Sequence, residues 1–217
     1  PQRRGAAEIK NSKIMSNLLQ NRKSTFMKLS HFFSASMSFS GLILICSIAI
    51  AAQVPSPQSV LGFRPTDDKT IADWGQITDY FAKLDKASKN VAVKEIGKST
   101  NGKPLIVAFI SSAKNIKDLE KYRQISAKLA DPRTISSESE VAELVKNGKT
   151  IVSISCSIHS TEIVASQMSM NLAFELATAT DADTREILEN TILLLIPSPN
   201  PDGIDIVANW YRKTLGT

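Results

Sequence analysis

The chain has 217 residues and a formal net charge of +5, a length that suits one domain with an extension and leaves ample apolar content for a core. The charge is unevenly placed: residues 1–52 hold seven of the 26 Lys and Arg and one of the 21 acids, so 53–217 carries 19 basic against 20 acidic residues. A near-neutral folded part gives no electrostatic case for nucleic acid. The glycines form neither a G-x-G-x-x-G nor a P-loop pattern, which counts against nucleotide binding.

The basic leader reads as an export signal. Lys28 follows Met27, Gly41–Ile50 is an apolar core, and Ala49-Ile50-Ala51 offers a small-residue cleavage pattern. That core falls short of the ~20 residues of a membrane-spanning helix. Residues 27–52 are therefore expected to be a cleaved signal peptide, with no stable membrane insertion afterwards and a periplasmic or extracellular destination. Residues 1–26 read as upstream, non-structural sequence. After cleavage Cys156 is the one cysteine left, which rules out an intrachain disulfide and gives it a packing role.

Residues 53–66 are rich in Pro and Ser and read as an extended linker. Asp67 or Asp68 is placed to cap a helix reaching about Asn90, with Ile71, Trp74, Ile77, Phe81 and Leu84 on one stripe. Val91–Ile96 and Pro104–Ile110 are strand-like, and Asn101-Gly102 between them predicts an antiparallel hairpin. A helix follows from Asn115 to about Ala130, with Ile116, Leu119, Tyr122, Ile125 and Leu129 inward, ended by Asp131-Pro132. Ser137-x-x-Glu140 is a capping box for a short helix that carries Val141, Leu144 and Val145 and stops at Asn147-Gly148.

Ile151–Ile158 alternates Val152, Ile154, Cys156 and Ile158 with serines, the period of a strand, and reads as buried. A helix from about Glu162 to Thr178, apolar on more than one face through Met168, Leu172, Phe174 and Leu176, is expected to be well buried. Asp183-x-x-Glu186 caps another short helix, and the unbroken apolar run Thr191–Ile196 fits a central strand covered on both faces. A hairpin followed by strand–helix–strand predicts an α/β domain with a mixed parallel and antiparallel sheet flanked by helices. No internal repeat is visible.

His159 stands three residues before Glu162, where strand periodicity gives way to helix. Imidazole and carboxylate at that spacing point the same way and make a zinc half-site of the kind found in His- and Glu-ligated catalytic zinc. The same pair also fits a hydrogen-bonded histidine beside a helix-N-terminal acid favoured by the dipole. Sites in such sheets gather beyond the carboxyl ends of parallel strands. Asn200-Pro-Asp-Gly203 follows the next strand, and Asn209-Trp-Tyr-Arg-Lys-Thr214 could return Arg212 to the same edge.

From about Leu61 to Thr217, these features in this order resemble the amino-terminal half of a zinc carboxypeptidase of the carboxypeptidase A/T-like family. They are Gly97-Lys-Ser with Asn101-Gly-Lys-Pro104, H-x-x-E after a strand, N-P-D-G after the next, and W-Y-R-K-T. The resemblance implies Zn2+ as cofactor, a peptide substrate (a cell-wall peptide included), His159 and Glu162 as zinc ligands, and Arg212 as the oxyanion-stabilising arginine. Asn200–Gly203 is turn chemistry first. Outside the resemblance, Arg212 reads equally as a solvated helix arginine. The remaining parts that the family implies are a third ligand histidine, a carboxylate-clamping arginine, a capping tyrosine and a glutamate base. These are expected beyond Thr217, so the domain over 67–217 reads as incomplete at its carboxy terminus. The competing function is a non-catalytic carboxypeptidase-like domain that binds peptides or partners. Exported protein should begin near Ala51 or Ala52 by amino-terminal sequencing; a start upstream of residue 40, or retention in the cytoplasm, would contradict the signal reading.

Overall fold

The computed structural model describes residues 53–216, and the signal-peptide and upstream readings fall on residues 1–52, outside the described residues. Strands β1 (Val91–Lys98), β2 (Pro104–Ile110), β3 (Thr150–Ser155) and β4 (Thr191–Ile196) form one sheet in the order β1-β2-β4-β3. β1 and β2 make the expected hairpin, closed by Gly102 at φ +78°, the left-handed conformation that glycine adopts without a Cβ clash. β2 pairs antiparallel with β4, and β4 pairs parallel with β3, so the sheet is mixed.

Eight helices flank it among the described residues: α1 (Pro57–Leu61), α2 (Trp74–Ala87), α3 (Ala113–Lys117), α4 (Leu119–Ala130), α5 (Glu138–Asn147), α6 (Ile163–Thr178), α7 (Ala182–Asn190) and α8 (Pro201–Thr214). Alternation along the central strands divides the core in two. Ala108, Ile110, Leu193 and Leu195 pack with Trp74, Ile77 and Phe81 of α2, Met170 and Ala173 of α6, and Ile204 of α8. Phe109, Ile192 and Leu194 face the other way, onto Tyr122 and Ile125 of α4 and Leu144 of α5. β4, an unbroken apolar run, has β2 and β3 as neighbours and helices over each face. No helix among the described residues is long and apolar enough to cross a membrane.

Several elements differ from the sequence reading, each for a local reason. The stretch 53–66 is not an extended linker: Ser56 caps α1, and Pro57 and Leu61 are buried with Val54, Val60 and Phe63 against the main core. α2 begins at Trp74 because Asp73, not Asp67 or Asp68, forms a full capping box with Gln76. Asp67 is engaged instead in a turn, accepting from Arg64 N. The helix expected over 115–130 is two helices, broken at Asp118, and α7 is capped by Asp181 rather than Asp183. Leu129, expected inward, is exposed near the end of α4.

The largest difference concerns β3. It ends at Ser155 and lies at the sheet edge, leaving Ile151 and Val152 exposed on opposite faces rather than buried. The outer side of α6 is open as well, with Val164 and Met168 exposed, because its buried face is made of Ser166, Gln167, Ser169, Met170, Ala173 and Ala177. Ser166, Ser169, Ala173 and Ala177 let the helix approach its neighbours closely, and of the bulky residues Leu172, Phe174 and Leu176 are half-buried against the main core while Met168 is exposed.

Candidate functional site

The parallel pair β3 and β4 ends at one edge, so the loops that leave them start side by side. Cys156 N–H, donating to Ile196 O at 3.0 Å, continues the ladder one residue past β3. Cys156 itself is a buried free thiol whose pKa burial raises. The chain then turns at Ser157 (φ +48°) and reaches a second turn in which Glu162 N–H donates to His159 O at 3.0 Å. That turn sets the two side chains together, with His159 Nδ1 and Glu162 Oε1 3.1 Å apart. Both are exposed, at 74% and 57% of their side-chain surface, so this pair adds little to stability.

The donors suit zinc in kind, one imidazole nitrogen and one carboxylate oxygen. Two ligands at about 2.0–2.2 Å from a tetrahedral zinc stand roughly 3.3 Å apart, close to the observed separation. Glu162 is also free to serve, since it occupies the N-cap of α6 yet makes no capping bond. Among the described residues no third His, Cys, Asp or Glu joins them in a group able to hold a metal.

Asn200-Pro-Asp-Gly203 supports this edge through four different contacts. Asn200 Oδ1 caps α8 by accepting from Gly203 N, while its Nδ2 donates to Ile158 O at 3.1 Å, one residue before His159. Pro201 fills the first helical position, where a missing N–H costs nothing. Asp202 reaches the hairpin turn, accepting from Ser99 Oγ and Asn101 N. Gly203 lies so close to the His159 loop that a Cβ on it would stand 2.6 Å from both Ser160 Cβ and Asn200 Nδ2. The partners outside the motif, Ile158, Ser160, Ser99 and Asn101, are not visible as a local pattern, because each lies some 40 or 100 residues away; the N-P-D-G turn signature was the one available pointer.

Arg212 lies elsewhere. α8 carries it about 13 Å along the helix axis from Gly203, and no hydrogen bond or ion pair joins it to His159 or Glu162. Its Nη1 donates to Asp73 Oδ2 and its Nη2 to Ile71 O and Gln76 Oε1, all at 2.8 Å, so the guanidinium braces the capping box of α2. Asp205, two turns earlier on α8, accepts from Trp74 N and from Lys103 Nζ. The Asp205 bond raises the Lys103 pKa. Burial works against the charge on Asp73, but the bonds from Arg212 and the Gln76 N–H outweigh it and hold the carboxyl below the usual carboxylate range.

A family model described as zinc carboxypeptidase matches residues 77–216, a span that includes His159, Glu162, Asn200–Gly203 and Arg212. The chain belongs to the zinc carboxypeptidase family. No curated protein sequence matches it. Among solved structures it is similar to a carboxypeptidase A from Helicoverpa armigera (20% identity, TM-score 0.44, covering 74% of this chain and 32% of that one). It is also similar to bovine thrombin-activatable fibrinolysis inhibitor in complex with tick carboxypeptidase inhibitor (15%, 0.43, 66% and 36%). A third is a metallo-carboxypeptidase from Burkholderia cenocepacia (18%, 0.39, 58% and 26%). The chain spans about a third or less of the length of these solved structures.

Two outcomes follow from the contacts. Gly203→Ala should destabilise the domain by about 1–3 kcal/mol, the usual range for overpacking, read as a lower urea midpoint with an unchanged slope; an unchanged midpoint would mean that the Ser160 contact yields freely. Asp73 has a depressed pKa in the folded state, so its contribution to stability is present above its unfolded pKa of about 3.9 and is lost as pH falls from there through the folded value. Asp73→Asn should therefore lower the urea midpoint at neutral pH and flatten its decline in acid, and parallel pH profiles for the two proteins would contradict the assignment.

Proposed function

We propose that this protein is an exported, zinc-dependent metallocarboxypeptidase that hydrolyses carboxy-terminal peptide bonds, with a cell-wall peptide among its candidate substrates. His159 and Glu162 would be two of the zinc ligands and Arg212 the oxyanion donor. The observation that carries this reading is the turn at the carboxyl edge of β3. There, two exposed donors of the kinds zinc favours stand 3.1 Å apart, and the carboxylate is not occupied by capping. Export rests on the leader composition alone.

Bound zinc would lower the pKa of a water and polarise the scissile carbonyl. The chain's own residues would hold and orient: His159 and Glu162 through the turn between them, and Arg212 by presenting two N–H groups to the oxygen that gains charge as the carbonyl becomes tetrahedral. For that, the guanidinium must exchange Asp73 and Gln76 for the substrate. A second reading is a carboxypeptidase-like domain that binds peptides without cleaving them; a longer form of the protein that holds zinc yet leaves peptides intact would favour it.

The test measures zinc affinity, thermal stability and turnover for one set of variants. The 217-residue chain should bind zinc weakly and show no peptidase activity, because a catalytic zinc takes three protein ligands. His159→Ala and Glu162→Gln should weaken that binding further without lowering the melting temperature. In any longer form of the protein that turns over peptides, Arg212→Ala should leave zinc content unchanged and lower kcat by ~10²–10³-fold. Zinc binding indifferent to His159 would overturn the ligand assignment. An Arg212→Ala protein that melts earlier at full kcat would make Arg212 a brace of α2 and nothing more.

A further inference from the structure

Two residues other than glycine have left-handed backbone among the described residues, Lys69 and Ser157. Lys69 is exposed in a surface turn, whereas Ser157 is 4% exposed and lies two residues before His159. A residue with a Cβ is disfavoured at positive φ, so a buried serine there needs compensation. The compensation comes from its own hydroxyl, which has one proton and two lone pairs. The proton goes to Glu162 O at 2.7 Å. One lone pair accepts Ser166 N–H at 2.9 Å, and Ser166 Oγ stands 3.0 Å away. Ser166 Oγ also lies 3.3 Å from Ile163 O, so its one proton serves either that carbonyl or Ser157 Oγ. Ser157 O in turn accepts from Ser198 Oγ at 3.0 Å, on the loop after β4.

These bonds have a common effect on Glu162. A residue at a helix N-cap ordinarily uses its side chain to satisfy the open N–H groups of the first turn, and Glu162 does not. The hydroxyl of Ser157 takes over part of that duty from outside the helix by accepting Ser166 N–H, and it grips the main chain of Glu162 itself. The carboxylate is thereby left facing His159.

Resting on the zinc-ligand reading above, we infer that Ser157 is a positioning residue of the metal site: its hydroxyl clamps both ends of the 157–162 loop and keeps the Glu162 carboxylate off the N-terminus of α6. Without it, Ser166 N–H loses its hydroxyl acceptor in a buried corner, and Glu162 O keeps only the N–H of Ala165. The free carboxylate then becomes the nearest group able to cap the helix, and it turns away from His159.

Ser157→Gly separates this role from simple stability, because glycine adopts positive φ without strain while the hydroxyl is lost. The chain has two histidines, His31 and His159, so the ring-proton resonances of His159 are identified by their absence from His159→Ala. Zn2+ is titrated into the full chain and followed at those resonances, beside thermal unfolding of each variant. The expected result is a Ser157→Gly chain that melts close to the parent yet needs ~10–100-fold more zinc to shift His159, the usual size of a supporting-residue effect on metal affinity. Ser157→Ala should lose both affinity and melting temperature. If neither folds, Ser166→Ala, on the other side of the same contact, should weaken zinc binding in a folded chain. A Ser157→Gly or Ser166→Ala chain that folds and titrates like the parent overturns the inference. Failure of zinc to move the His159 signals even in the parent would instead overturn the ligand reading beneath it.

Discussion

Six residues of parallel pairing, Thr150–Ser155 against Thr191–Ile196, decide where the rest of the site stands. Because the strands run the same way and in register, their carboxyl ends finish together. The loop carrying His159 and the loop carrying Asn200 therefore begin as neighbours. Every later contact exploits that adjacency: Cys156 with Ile196, Ser157 with Ser198, Ile158 with Asn200, and Ser160 with Gly203. The pairs advance along both loops in step, so the two loops fold as one layer. β4 can enforce this because its other edge is held by β2, and both its faces lie under helices.

Legibility in the sequence followed the range of the interactions. The hairpin at Asn101-Gly102, the central place of β4 and the mixed sheet could be read from turn chemistry and from runs that encode burial directly. The depth of β3 could not. Period-two alternation shows that a segment is a strand, but it does not say whether another strand lies beyond it. Ile151 and Val152 therefore look the same in sequence whether buried or at an edge. The helix start at Asp73 was legible in principle, since Asp73-Trp-Gly-Gln76 is a capping pattern. Asp67 and Asp68 competed for the role, and the turn that engages Asp67 settles the matter.

At the site, the nearness of His159 and Glu162 is local and readable, because a single turn separates them. The residues that hold that turn are not. Ser157, Ser166 and Ser198 read as ordinary polar positions, and Asp202 and Asp205 as helix-surface acids. Each is defined by a partner that the sheet brings near. Serine suits the crowded corner under the loop because one small hydroxyl both donates and accepts. A larger side chain would have to displace the strands that the loop joins.

Arg212 poses the sharper physical question, since one guanidinium faces two demands. Oxyanion stabilisation requires donors aimed in advance at the reacting carbonyl. Here the donors are aimed at Asp73, Gln76 and Ile71 O, and a straight α8 directs them along its axis away from the His159 loop. For Arg212 to serve that loop, its guanidinium must first leave Asp73, Gln76 and Ile71 O. On the last turns of α8 Trp210 is exposed while Ala208 is buried. The three bonds of Arg212 oppose that exchange directly. Bonds to a charged group are each worth about 1.5–3 kcal/mol when buried and less at partly exposed positions such as this one. A substrate carbonyl offered in a drier setting would compete with them directly, and the cap of α2 would keep Gln76 and the backbone as its remaining partners.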